Sequence, residues 1–436
     1  MTATRTWRAA TIVAGALLWL LAAALLWRTT VPGDLRLPDL QPADYFAPAE
    51  LREAERFERF LRIDFVLVTL ASLVALAVFA RRAPRLAASL GLGRVGSAVI
   101  VSMVALTILF VVDLPFAVAA AWWERRHDLA HGSWLEWLLA PWAVLLAEVT
   151  FILIFVSVLV GLAARFRRYW WLAIVPVFAL IGVAFATVTL LLVPLYTSPI
   201  DDRKLARDAK ALATKIGAGG TPVEVEEVSD LTSQANAYAY KLGPIKRAVL
   251  WDTMLDGRFT DGEIRVVIAH ELGHVAREHV LKGLGWYIVI SLPLWWLIAE
   301  VTRRTGRGLW DPGNLPYGLL VITILTLVFA PIENVISRRY ETEADWIALE
   351  ATRDPRSAKG LFKGFAETSL SDPEPPTWAY VMLDTHPTML QRIAMAEAWR
   401  KRNLRGRAGP AREGSLFPLV SSTSTRHPSS RPGAPS

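Results

Sequence analysis

The sequence predicts an all-α polytopic membrane protein that carries a smaller α+β unit outside the bilayer, and three observations say so. Apolar residues make up 53% of the 436-residue chain and charged ones only 20%, more apolar material than a soluble chain normally buries. The apolar residues gather into seven runs close to bilayer-crossing length, at 9–27, 65–80, 97–122, 137–164, 171–195, 284–301 and 317–336. Of 18 tryptophans, many (Trp19, Trp27, Trp122, Trp123, Trp137, Trp170, Trp171 and Trp286) sit at or near the ends of these runs, where an amphipathic ring prefers the interface.

Taken in order, the first run follows Arg5 and Arg8; it is too long for a signal peptide and no small-residue cleavage site follows it, so it reads as an anchor. Five runs place 1–196 in a membrane domain, and the last two add 284–336. Between them lies a soluble block, 197–283, and after them a second, 337–403. The first block opens with an amphipathic helix after Asp201 and Asp202 that Gly217 should stop. Alternating stretches at 223–228, 236–242 and 248–254 then read as strands, and a second helix starts at a capping box, Thr260 with Glu263. From 404 to 436 the Gly, Pro, Ser, Thr and Arg composition leaves little to bury, and the segment reads as a disordered basic tail.

Chemistry concentrates on the helix that starts at Thr260, which carries His270, Glu271, Leu272, Gly273 and His274, an H-E-x-x-H arrangement. Histidines four apart lie about 40° from each other around a helix, so both imidazoles can converge on one cation while Glu271 reaches its open side. Cysteine is absent, which excludes disulfides, thiolate metal sites and cysteine nucleophiles and leaves His and carboxylates as ligands. A catalytic zinc takes three protein ligands and a water, with Glu271 as the base that takes the water's proton. The third ligand is not the last histidine of H-E-x-x-H-x-x-G-x-x-H, because Arg277 and Val280 stand at its Gly and His positions. His279 lies half a turn off the face of His270 and is expected beside the metal rather than on it. A carboxylate further on is the remaining candidate. Glu341 and Asp345 share a helix face one turn apart, so Glu341 is read as the third ligand and Asp345 as the partner of a ligating histidine's free nitrogen. Glu343 points almost the opposite way and is expected to be a solvated charge. A transporter or receptor with a structural metal is the competing class; such a site normally has four protein ligands, and this chain offers three with a base attached.

The H-E-L-G-H of 270–274 paired with S-R-x-x-E-x-x-A-D at 337–345 resembles the type I CAAX prenyl endopeptidases, integral-membrane zinc metalloproteases related to the bacterial heat-shock membrane metalloproteases. Further similarity lies at Asn236-Ala237-Tyr238 with Tyr240, at Leu250-Trp251-Asp252-Thr253, at Thr385-His386-Pro387 with Arg392-Ile393, and at Leu114-Pro115-Phe116. The resemblance implies seven tilted helices closed into a barrel around a water-filled chamber, capped by a gluzincin-like α+β zinc protease domain with one zinc per chain. It implies His386 and Arg392 as stabilisers of the tetrahedral oxyanion, and Asn236, Ala237 and Tyr238 as an edge strand that pairs with substrate backbone. Acids within the runs, Asp113, Glu148, Glu300 and Glu333, would then face water rather than lipid.

The expected activity is hydrolysis of peptide bonds in membrane-associated peptides or proteins, with lipidated CAAX-type C termini and general membrane quality control as the two substrate readings. The formal charge of +7 does not call for nucleic acid: in 400–436 eight basic residues face one acid, so residues 1–399 balance to zero. A basic end of this kind suits anionic lipid headgroups. Charge does not decide orientation. Arg81, Arg82, Arg85, Arg94, Arg165, Arg167, Arg168, Arg303, Arg304 and Arg307 flank one end of the spans, while Arg52, Arg56, Arg59, Arg62, Arg125 and Arg126, read as loop residues, join Arg338 and Arg339 at the other. The resemblance implies a cytoplasmic zinc face, and the preference for Arg over Lys points to a bacterial plasma membrane. A monomer is expected.

Overall fold

The computed structural model describes residues 2–139 and 142–408, and all that follows concerns those residues. The last helix runs to Ala408, so residues 404–408 of the expected tail are helical; the rest of that tail and the side chain of Glu148 lie outside the described residues. Helix α1 (Thr2–Leu26) leads through an extended segment to α2 (Pro48–Ser89), α3 (Arg94–Arg126), the short α4 (Trp134–Leu139), α5 (Trp142–Phe166) and α6 (Trp170–Leu192). Next come β1 (Thr197–Pro199), α7 (Arg203–Ile216), β2 (Val223–Glu226), β3 (Ala237–Leu242), β4 (Ile245–Trp251) and α8 (Asp261–Ala276). Helices α9 (His279–Arg303) and α10 (Leu315–Thr352) are followed by α11 (Pro355–Ser369), α12 (Thr377–Met382) and α13 (Met389–Ala408). Six helices, α2, α3, α5, α6, α9 and α10, contain stretches long and apolar enough to cross a membrane, and Val13–Leu26 of α1 is a shorter apolar stretch. Each of the seven apolar runs thus falls on a helix, the fourth divided between α4 and α5.

Two helices overrun the bilayer. At 1.5 Å per residue α2 and α10 are about 63 and 57 Å long, against about 30 Å of hydrocarbon. The extension of α2 carries Arg52, Arg56, Arg59 and Arg62, and Arg125 and Arg126 end α3, so these arginines are helical rather than in loops. The reason is local: Pro48 starts α2 at its first turn, and the Ala, Glu, Leu and Arg that follow are strong helix formers. Arg62 is buried there between Glu58 and Asp372 and fastens α2 to the segment after α11. The other long helix, α10, passes unbroken from the membrane into the region of Glu341 and Asp345.

Outside the membrane, the four strands form one sheet in the order β1-β2-β4-β3, with β2 and β4 parallel and the other pairs antiparallel. The third strand starts earlier than the sequence suggests, at Ile245. Gly243, at φ +59°, opens a two-residue hairpin turn that pairs Leu242 with Ile245. Capping follows expectation. Asp202 accepts the amides of Lys204 and Leu205 to start α7, Gly217 ends it in the left-handed conformation, and Thr260 and Glu263 cap α8 reciprocally. One core joins α7, α8, the outer half of α10, α11, α13 and the sheet; another lies among α5, α6, α9 and the inner half of α10.

Between the spans lies a cavity of about 510 Å³ with mainly apolar walls, lined by Phe155, Phe178, Tyr287, Ser291, Leu319 and Glu333 among others. Of the acids expected to face water, Glu333 lines this cavity and Asp113 accepts a 2.8 Å hydrogen bond from Ser72. Glu300 differs: it sits at the end of α9, paired with Arg303 and Arg304.

Candidate metal centre

Two buried helices build the site by crossing closely. At the crossing, a Cβ on Gly273 of α8 would lie 3.4 Å from the Cα of Ala344, a fully buried residue of α10. Small residues at this point let α10 present Glu341 directly to the histidines of α8. The Nε2 atoms of His270 and His274 stand 3.0 Å apart, and the Glu341 carboxylate lies 3.2 Å from the first and 3.4 Å from the second. Its Oε2 is buried and accepts no hydrogen bond. A buried carboxylate oxygen without a donor, facing two imidazole nitrogens, is satisfied by a cation, and a two-histidine, one-carboxylate set suits zinc.

Each histidine is oriented from behind. The Nδ1 of His270 lies 2.8 Å from Asp345 Oδ1, so the ring turns its Nε2 lone pair toward Glu341. Asp345 in turn accepts two hydrogen bonds from Arg392 of α13, at 2.9 and 2.7 Å, and the guanidinium lies over the Phe362 ring. Arg392 is therefore on the Nδ1 side of His270, and it also lines the cleft that holds His386 and Asn236.

His274 is supported through a second histidine. The backbone turns left-handed at Glu278 (φ +54°), ending α8 and starting α9, which brings His279 Nδ1 to 2.9 Å from His274 Nδ1. His279 Nε2 contacts Glu343 Oε2 at 3.1 Å. Glu343 is not the solvated charge that its position on the helix suggests; it is 0% exposed. Its carboxylate accepts the Thr30 amide and hydroxyl at 2.8 and 2.9 Å, Arg277 at 2.9 Å and Lys282 at 3.4 Å. The face of α10 opposite the metal is covered by α9 and by the segment after α1, which is why that prediction fails. The sequence offers no local signal for Thr30, a threonine at the end of an apolar run 313 residues from its partner.

On the open side, Glu271 is buried, and burial pushes its carboxyl above the ordinary range. His386 is exposed, with Nε2 3.3 Å from Glu341 and Nδ1 3.0 Å from the Thr385 hydroxyl. It lines a cleft of about 370 Å³ together with Asn236, Asp384 and Glu58. Asn236 immediately precedes β3, and Ala237 and Tyr238 begin that strand at the edge of the sheet.

This architecture, a short metal-site sheet and helices mounted on long membrane helices, defines a class. Residues 199–400 match the model of Peptidase family M48. More particularly, the chain is homologous to the CAAX prenyl protease 1 proteins. It is 25% identical over 232 residues to the CAAX prenyl protease 1 homolog of Oryza sativa subsp. japonica, covering 50% of this chain and 54% of that one. It is 32% identical over 245 residues to the uncharacterized metalloprotease YhfN of Bacillus subtilis, covering 53% of this chain and 57% of that one. The chain thus spans about half the length of these curated relatives. The crystal structure of S. mikatae Ste24p superposes with a TM-score of 0.68 at 18% identity, over 87% of this chain and 96% of that one, and so shares its fold. With its apolar helices, the protein is an integral membrane protein.

Proposed function

We propose that the protein is an integral-membrane zinc metalloendopeptidase, with one zinc per chain held by His270, His274 and Glu341. The observation that carries this reading is the buried convergence of those three side chains, with an orphaned oxygen on Glu341, beside the Glu271 carboxyl. A zinc held by these three residues would supply Lewis-acid polarisation of a scissile carbonyl and of the attacking water. Glu271 takes the proton from that water and returns it to the leaving amide nitrogen; burial, which raises its proton affinity, suits both transfers. His386 donates from Nε2 to the carbonyl oxygen as negative charge develops. Arg392 and Asp345 position His270. Asn236, Ala237 and Tyr238 pair with the substrate backbone along the free edge of β3. On this reading 197–283 and 337–403 are two parts of one protease domain, threaded through the membrane domain of 1–196 and 284–336.

The substrates are membrane-associated peptides or proteins, and the mainly apolar walls of the cavity between the spans suit a lipidated CAAX-type C terminus. The printed name of the Oryza sativa relative, CAAX prenyl protease 1 homolog, supports the same substrate class. The protein acts as a monomer in a bacterial plasma membrane with the zinc site on the cytoplasmic face.

Glu271→Gln tests the chemistry. It leaves zinc content unchanged and lowers peptide cleavage about a thousandfold; retained cleavage overturns the assignment. A farnesylated peptide cut faster than its unmodified form supports the lipidated substrate, and equal rates favour quality control. A single cysteine placed in the tail of this cysteine-free chain reads the orientation: labelling of intact cells by a membrane-impermeant reagent contradicts a cytoplasmic zinc face.

A further inference from the structure

At the end of the helical bundle opposite the metal site, the turn between α5 and α6 meets the end of α9 and the loop that follows it. Together they enclose a cavity of about 580 Å³ lined by Arg167, Arg168, Trp170, Trp296, Arg303 and Trp310, among others. Arg303 is neutralised by Glu300 through three hydrogen bonds of 2.8 to 3.0 Å. Arg167 and Arg168 have no carboxylate within ion-pair distance among the described residues, so the cavity carries two uncompensated cations.

The cavity is built rather than accidental. Arg167 adopts a left-handed backbone (φ +46°), unfavourable for a residue with a Cβ, and its guanidinium lies 5.1 Å from the Trp310 ring centroid. Trp310 in turn lies against Gly308 so closely that a Cβ there would sit 2.1 Å from the ring, and Gly308 is left-handed as well (φ +67°). The buried Asn314 side chain donates to the Gly308 carbonyl at 3.1 Å and fixes the loop. Trp170 forms a buried wall edge-on to Trp295, while Trp296 and Tyr169 are 51% and 58% exposed at the rim of the cavity.

We infer that this cavity binds a phosphate group, presented by the headgroup of an anionic phospholipid. Arg167 and Arg168 supply fork-shaped donors to the phosphate oxygens, and Trp296 and Tyr169 flank the acyl chains at the interface. The site stands apart from the metal centre and does not depend on the proteolytic reading.

Native mass spectrometry of the full chain in detergent, titrated with phosphatidylglycerol or phosphatidylcholine, tests this. The wild type retains one phosphatidylglycerol with roughly tenfold or greater preference over phosphatidylcholine, as two arginines near a headgroup should give. Arg167→Gln/Arg168→Gln loses that preference. Gly308→Ala, which displaces Trp310 without changing charge, weakens it. Arg81→Gln/Arg82→Gln, which removes two exposed charges from the same end of the bundle, keeps it. If the Arg167/Arg168 variant keeps the preference, or the Arg81/Arg82 variant loses it equally, the cavity is not the site and the inference is overturned. Displacement of the lipid by millimolar inorganic phosphate assigns the cavity to free phosphate and overturns the lipid headgroup. Monodisperse elution with an unchanged circular dichroism spectrum confirms that each variant is folded.

Discussion

The two histidines of the metal site are four residues apart on one helix, yet they are supported in different ways. His270 touches its carboxylate, Asp345, directly, and Asp345 is clamped by Arg392 from the last helix of the soluble part. His274 reaches its carboxylate, Glu343, only through His279, and Glu343 is held by Thr30 from the segment that follows α1. Both carboxylates ride on α10, two residues apart and on opposite faces. One helix therefore anchors both ligands, one to the soluble core and the other to the membrane scaffold.

Four substitutions break or sharpen this contrast. Asp345→Asn has the largest effect: with the direct acceptor weakened and Arg392 left without its charge partner, zinc retention against a graded chelator falls about a hundredfold. Glu343→Gln acts through an intervening ring, and the same titration shifts about tenfold. Equal losses in the two variants would mean that the direct and relayed supports are equivalent. Thr30→Val keeps the amide donor to Glu343 and removes the hydroxyl, costing about 1 kcal/mol in denaturant unfolding with zinc content unchanged. A control away from both histidines has the smallest effect. Burial, with Glu58 close by, pushes Asp384 up to about 6, so ionising it opposes folding. The penalty is absent below the unfolded value of about 4, grows between 4 and 6 and is complete above 6. Since the group is half-exposed, Asp384→Asn should stabilise by no more than about 1 kcal/mol at pH 8 and not at all at pH 4. A gain that is the same at both pH values removes the electrostatic explanation.

What the sequence disclosed about this site follows from how local each signal is. His270, Glu271 and His274 are readable because helix geometry alone decides that residues four apart converge, and Glu341 with Asp345 is readable for the same reason. The seven apolar runs are equally local. Arg392 is 47 residues from Asp345, and nothing in that interval says on which side of His270 it will stand. Glu343 was misleading because a helix wheel reports direction but not what lies there. Helix α10 is covered on both sides, and one residue of that cover, Thr30, comes from the far end of the chain. His279 required knowing that α8 breaks at Glu278, where no glycine or proline gives warning. The β3–β4 hairpin turned on Gly243, whose positive φ moved the start of a strand by three residues from 248 to 245.

The chain order of the three converging side chains has a consequence for biogenesis. His270 and His274 are synthesised before α9 and α10, and Glu341 lies in the outer half of α10, past its apolar stretch. A nascent chain that has made the histidine helix still has two membrane crossings to complete before the carboxylate can join it. Insertion of the last pair of spans therefore gates assembly of the metal centre, and a polypeptide stalled before that point holds only two of the three side chains.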